Sequence, residues 1–147
     1  MADPTPHDPS ANLALLRDAY DALDRRDLDR CTALLRHDFR INIAGMPEPM
    51  QGRAAWRAGV ETMQAAVPDL RHSIEDMFTA GDRVSVRLRL SGTHTGPFLG
   101  RQGTGGKVDY LSHEIYRIAD GRIAEEWICS DTLTLMRQLG AIPETPW

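Results

Sequence analysis

The sequence predicts an α+β fold, on two patterns that occupy different halves of the chain. Apolar residues recur at helical spacing through the first half and alternate at strand spacing through the second. Helices first and a run of antiparallel strands afterwards is the α+β arrangement. A strongly curved antiparallel sheet folding around a long N-terminal helix would enclose an apolar pocket. The 147 residues suit one domain, residues 10–147, behind a short disordered arm, residues 1–9. A chain of that length buries about two thirds of its unfolded surface.

Ser10 is the expected N-cap of the first helix, in which Leu13, Leu16, Tyr20 and Leu23 form one stripe. The polar run "DRRDLD" interrupts it, and Leu28, Cys31, Leu34 and Leu35 begin a shorter second helix. "FRINIAG" reads as a strand and "GMPEPMQG" as the loop after it. "RAAWRAGVETMQAAV" is a third helix, with Trp56, Val60 and Met63 toward the core and Pro68 beyond its end. "LRHSIEDMFTAGDRVSVRLRLSG" holds two strands around Ala80-Gly81, the second alternating Val84, Val86, Leu88 and Leu90 with Ser85, Arg87 and Arg89. "KVDYLSHEIYRIADGRIAEEWICSD" is the strongest hairpin signal, turning at Asp120-Gly121. "TLTLMRQLG" is a last short helix stopped by Gly140, with Pro143 beyond.

A net charge of −4 with no run of one sign argues against nucleic acid as a partner. Arg83, Arg87 and Arg89 are spaced as a solvated strand face. No apolar stretch approaches the ~18 residues of a membrane span, and the start lacks a secretory leader's basic and apolar regions. Cys31 and Cys129 fit no metal or redox spacing, and both are expected to pack as buried thiols in a reducing cytoplasm. His7, His37 and His72 share no ligand spacing, so no metal is expected. No serine has an activating partner in the sequence.

"GDRVSVRLRLSGTHTGPFLGRQGTGGKV", "IYRIADGRIAEEW" and "SDTLTLMRQLGAIP" resemble the SnoaL-like polyketide cyclases of the nuclear-transport-factor-2-like superfamily. "DALDRRDLDRCTALL" and "VPDLRHSIEDM" extend the likeness from about residue 10 onward. The resemblance implies an α+β cone with a deep apolar cavity and a cofactor-free cyclase. Such an enzyme closes a ring of an aromatic polyketide ester by intramolecular aldol condensation, with an aspartate at the position of Asp131 as acid/base. It also implies a homodimer. Relatives are assigned hydroxylation, and His113 stands where the family pattern expects an aliphatic residue. Isomerisation, dehydration and ligand binding without turnover are the other readings.

Asp131 is the first candidate for catalysis. Strand alternation groups Ile123, Glu125, Trp127, Cys129 and Asp131, and the face bearing Trp127 is the expected interior. Desolvation there would raise the carboxyl pKa. The competing reading makes Asp131 the cap of the last helix. His113 depends on hairpin register. With a two-residue loop it faces Ile128, and Tyr110 lies opposite Asp131. With a three-residue loop His113 faces Trp127 as a second catalytic group, the register favoured because it brings Arg117 diagonal to Glu125. Tyr20, Trp56, Tyr110, Trp127 and His94 are the candidate substrate-contacting residues. For His94 the alternatives are an inward strand position and a loop anchor beside a bulge at Gly92. "GRQGTGG" matches no phosphate-binding fingerprint, follows a strand and leads into another. It is expected to form a long loop rimming or closing the pocket mouth.

Overall fold

The computed structural model describes residues 7–143. Helix α1 spans Pro9–Asp24, α2 Leu28–Ala33, α3 Arg53–Ala66 and α4 Thr132–Gln138. The strands are β1 (Leu35–Ile43), β2 (Met50–Gln51), β3 (Arg71–Ala80), β4 (Arg83–Thr93), β5 (Lys107–Ala119) and β6 (Arg122–Ser130). They form one six-stranded curved sheet in the order β2-β1-β6-β5-β4-β3. The fold is α+β as the sequence predicts, with one amendment: β1 runs parallel to β6, so the sheet is not wholly antiparallel.

Local chemistry explains the element ends. Asp8, not Ser10, caps α1, its Oδ1 accepting from the Ser10 and Ala11 amides at 2.9 and 3.3 Å. Pro9 takes the first helical position, where its missing N–H costs nothing. The helix thus begins one residue before the expected domain start, and residues 1–6 of the expected arm lie outside the described residues. Asp27 caps α2 through the Arg30 amide at 3.0 Å. That helix ends earlier than expected, with Leu34 as its C-cap and Leu35 already in β1. The β5–β6 hairpin turns through Asp120 (φ 52°) and Gly121 (φ 70°), the paired left-handed conformations of a tight hairpin turn.

Val84, Val86, Leu88 and Leu90 of β4 face inward with Val108, Tyr110, Ser112, Glu114, Tyr116 and Ile118 of β5. Leu16 and Tyr20 of α1 pack against this inner face, as does the partly buried Trp56 of α3. The outer face carries Arg87, Arg89 and Asp109, the last two joined bidentately at 2.8 and 2.6 Å. Cys31 is buried, but Cys129 is exposed, because the β6 alternation differs from the expected one.

The cause is a bulge. Ile118 pairs with Ile123 across the hairpin, yet Arg117 pairs with Glu125, so β6 carries one extra residue at Ala124. Ile123 and Ala124 are both buried, at 2% and 3% exposure, and the alternation then restarts one residue later. Glu126 therefore faces in, and Trp127 faces out. His113 pairs with Cys129, which neither expected register gives, and Arg117 meets Glu125 directly, at 3.4 Å.

The glycine-rich segment between β4 and β5 is fixed rather than free-standing. Thr95 and Gly96 donate to the Ala66 carbonyl at 3.1 and 3.0 Å, at the end of α3. A Cβ on Gly96 would lie 1.7 Å from the Ala65 carbonyl oxygen, so only glycine permits this approach. Arg101 reaches the Gly140 carbonyl beyond α4 at 2.8 Å. The loop does not rim the pocket as expected: none of its residues lines the apolar cavity between the helices and the sheet.

Candidate active site

A cavity of about 310 Å³ lies between α1, α3 and the inner face of the sheet. Its walls are mostly apolar, with Leu23, Trp56, Met63, Leu88, Leu90 and Ile128 among them. Polar groups converge on it from α1, β5 and β6. Helix α1 supplies Tyr20 from its apolar stripe; β5 supplies Tyr110, Glu114 and Tyr116 by strict alternation; β6 supplies Glu126 through the bulge.

Four of these side chains are bonded together. Tyr20 Oη donates to Glu114 Oε2 at 2.8 Å and lies 2.6 Å from Tyr116 Oη. Tyr116 Oη is also bonded to Glu114 Oε2 and reaches Glu126 Oε1 at 3.0 Å. The second oxygen of Glu114 accepts from Ser112 Oγ at 2.8 Å, and Ser112 in turn lies 2.8 Å from Ser130 Oγ. Glu114 is 8% exposed and Glu126 5%. Two carboxylates so placed cannot both ionise cheaply. Burial first, and the Glu114 charge second, push the Glu126 carboxyl well above the usual carboxylate range. Burial and the same two glutamates hold the phenols of Tyr20 and Tyr116 well above 10. Burial, then Glu114, pushes Tyr110 up to about 12. The cluster therefore stores exchangeable protons on neutral groups in an apolar cavity, the condition under which a carboxylic acid donates at neutral pH.

The residues expected from sequence separate into two sets. Tyr20, Trp56 and Tyr110 line the cavity. Asp131, His113, His94 and Trp127 do not. Asp131 is exposed and caps α4, accepting from Thr134 N at 3.1 Å and Thr134 Oγ1 at 2.7 Å. Those bonds lower its carboxyl pKa, the reverse of the desolvation expected for it. His113 is exposed on the outer face, where it shares an open groove with Trp127. The Arg83 guanidinium lies over the Trp127 ring, 4.6 Å from its centroid. His94 is fully buried and anchors the loop, its Nδ1 accepting from Thr104 N at 3.4 Å with Thr104 Oγ1 at 3.2 Å. This is the loop anchor of the second sequence reading, but without its bulge, since Gly92 pairs with Val108 in unbroken register.

Glu114, Tyr116, Glu126 and His72 were not candidates in the sequence. Glu114 and Tyr116 share parity with Val108, Tyr110 and Ile118, a signal present in β5 alone. Glu126 becomes visible only when the bulge is known. Among the described residues, no group of three or more His, Cys, Asp or Glu side chains could hold a metal ion.

Residues 14–139 match the sequence profile of the SnoaL-like polyketide cyclases. The chain belongs to that family. Among characterised SnoaL-like relatives, the aklanonic acid methyl ester cyclase DauD of Streptomyces sp. (strain C5) is 28% identical, over 93% of this chain and 86% of that one. AclR, a putative hydroxylase from Streptomyces galilaeus, superposes with a TM-score of 0.86 at 27% identity, covering 95% of this chain and 87% of that one. IdmH, a putative polyketide cyclase from Streptomyces antibioticus, gives 0.75 at 31% identity, covering 91% and 99%. SnoaL-like membership and the cyclase relative support an enzymatic role, and the apolar cavity suits a bulky apolar ligand. No helix among the described residues is long and apolar enough to cross a membrane.

Proposed function

We propose that this protein closes a ring of an aromatic polyketide ester by intramolecular aldol condensation, without a cofactor. The observation that carries the reading is the bonded set Tyr20–Glu114–Tyr116–Glu126 at the wall of an apolar cavity. An aldol closure needs an acidic C–H beside a carbonyl to lose its proton, and the oxygen of the attacked carbonyl to gain one. Glu126 supplies the second proton, since its carboxyl stays protonated well above the usual range. Tyr116, 3.0 Å from Glu126 Oε1, holds that carboxyl at the cavity wall, and Tyr20 braces Tyr116 at 2.6 Å. The first proton is taken by a group on the same cavity wall, and two are available: the Glu114 carboxylate inside the cluster and the His72 imidazole outside it. The cavity supplies orientation and excludes water, while substrate conjugation carries the carbanion. In this reading Asp131 is a helix cap, and the acid/base role expected of it passes to the cluster.

Incubation with aklanonic acid methyl ester, followed by chromatography and mass spectrometry, tests the proposal. A cyclised isomer of unchanged mass is expected with and without oxygen. The likeness to AclR favours one competing reading, hydroxylation, which would yield a product one oxygen heavier and only in the presence of oxygen. The proposal extends to a homodimer, as the family resemblance implies, and light scattering showing monomer alone would remove that part.

A further inference from the structure

Helix α1 places a second charged device at the same cavity. Tyr20 and Asp24 lie four residues apart, hence on one helix face, so the turn that brings Tyr20 to Glu114 brings Asp24 to β3. Asp24 accepts the His72 backbone N–H through Oδ1 and Oδ2 at 3.2 and 3.3 Å. Its Oδ1 also lies 2.7 Å from His72 Nδ1. An ionised carboxylate can only accept, so in the neutral ring Nδ1 is the nitrogen that carries the proton and Nε2 the one that keeps its lone pair.

The His72 side chain is 9% exposed and lines the cavity, and among the described residues Nε2 has no partner. His72 pairs with Leu90, and Leu90 with Tyr110, so the imidazole stands in a row that crosses the inner face of the sheet. Its ring lies 5.9 Å from that of Tyr20, centroid to centroid, which sets it beside the tyrosine–glutamate cluster but not within it. Asp24 on α1 is the charged side chain bonded to the imidazole, and the Arg26 guanidinium reaches the Leu70 carbonyl at 3.1 Å, two residues before His72 in the chain.

We propose that His72, held by Asp24, is the general base of this cavity, and that the cluster is left with the acid's part. The inference rests on the acid–base cyclisation proposed above. Glu114 is the weaker candidate on geometry. Its Oε1 already accepts from Ser112 and its Oε2 from Tyr20 and Tyr116, so a substrate C–H would have to displace a hydroxyl. In the proposed step His72 Nε2 takes the proton from the carbon beside the carbonyl, and the C–H electron pair becomes the enolate. The imidazolium is paired with the Asp24 carboxylate. The enolate carbon then bonds to the second carbonyl carbon, whose π pair moves onto oxygen, and the Glu126 carboxyl proton passes to that oxygen. After the product leaves, His72 gives its extra proton to solvent and Glu126 takes one back from solvent, so the enzyme is unchanged. Asp24 acts here as a positioning residue.

Hydrogen–deuterium exchange at the activated carbon of aklanonic acid methyl ester, measured beside ring closure, tests this division. His72→Asn is expected to lose both exchange and closure by 10²–10⁴-fold with KM within a few-fold of wild type, a deficit partly restored by added imidazole. Glu126→Gln is expected to keep exchange while losing closure. Asp24→Asn, the milder change if His72→Asn fails to fold, should lower kcat at least tenfold and shift the tautomer. Nitrogen-15 NMR of wild type should show neutral His72 protonated on Nδ1. A proton on Nε2 instead, or exchange at the wild-type rate in His72→Asn, would overturn the proposal. An enzyme inert toward the ester would count against the cyclisation, while the tautomer measurement would still decide the dyad.

Discussion

Glu125 and Glu126 are chain neighbours of identical chemistry, and the β6 bulge sends them to opposite faces of one sheet. Glu125 points outward, to Arg117 at 3.4 Å and the Asn42 amide at 3.1 Å, where it forms a half-buried ion pair on the outer face. Glu126 points inward, 5% exposed, against a tyrosine and within the field of a second carboxylate. Composition does not distinguish them. The difference is dielectric, and a single unpaired residue, Ala124, creates it.

Inserting one alanine after Ala124 is the most severe way to break that contrast. With the one-residue bulge kept, the inserted alanine takes the place of Glu125 opposite Arg117, which turns Glu125 and Trp127 into the cavity and Glu126 to solvent. Loss of the cooperative thermal transition in circular dichroism is the expected outcome. An insertion variant that folds with wild-type stability would show that the register is not set here.

A gentler change keeps the fold and removes the proton. Glu126→Gln should lower turnover of the polyketide ester by 10²–10⁴-fold, whereas Glu125→Gln should leave it within twofold and cost about 1 kcal/mol of stability or less. Stability against pH separates the two as well. The folded-state pKa of Glu126 is raised, so the native chain binds more protons than the unfolded one above the ordinary carboxylate value. Its contribution is fully present below the unfolded pKa and is lost as pH rises toward the folded one. The slope approaches ~1.4 kcal/mol per pH unit for one proton. Urea melts from pH 5 to pH 8 should show this decline in wild type and in Glu125→Gln, and its loss in Glu126→Gln. A flat wild-type profile would mean that Glu126 is ionised in the folded protein.

The same contrast explains what could be read from sequence. Element order, the β4 alternation and the Asp120-Gly121 turn were legible because each depends on neighbours within a few residues. Tyr20, Trp56 and Tyr110 reach the cavity for the same reason: a helical stripe and an unbroken strand carry their periodicity to the end. The β6 face is not legible because one bulged residue inverts every later side chain, and two buried neighbours in a row, Ile123 and Ala124, are also what a short apolar run looks like. Trp127 added to the error. It is large and aromatic, so it suggests the interior, yet it is satisfied outside by the Arg83 guanidinium. The Asp24–His72 pair joins α1 to β3 across the fold, and no local pattern announces such a contact.

Asp131 gives the smallest expected effect and the sharpest test of the resemblance. Its carboxylate bonds Thr134 twice, so Asp131→Ala should cost about 1 kcal/mol through the lost cap. Asp131→Asn, which keeps a capping oxygen, should cost less. Because those bonds lower the folded-state pKa, the contribution is present above the unfolded pKa, near 4, and fades as pH falls through the folded one. Turnover of the ester should stay within twofold of wild type in both variants, since the side chain lies outside the cavity lining. A hundredfold loss in Asp131→Asn, with the thermal transition intact, would return the acid/base role to Asp131 and reduce the inner-face cluster to a buried polar network.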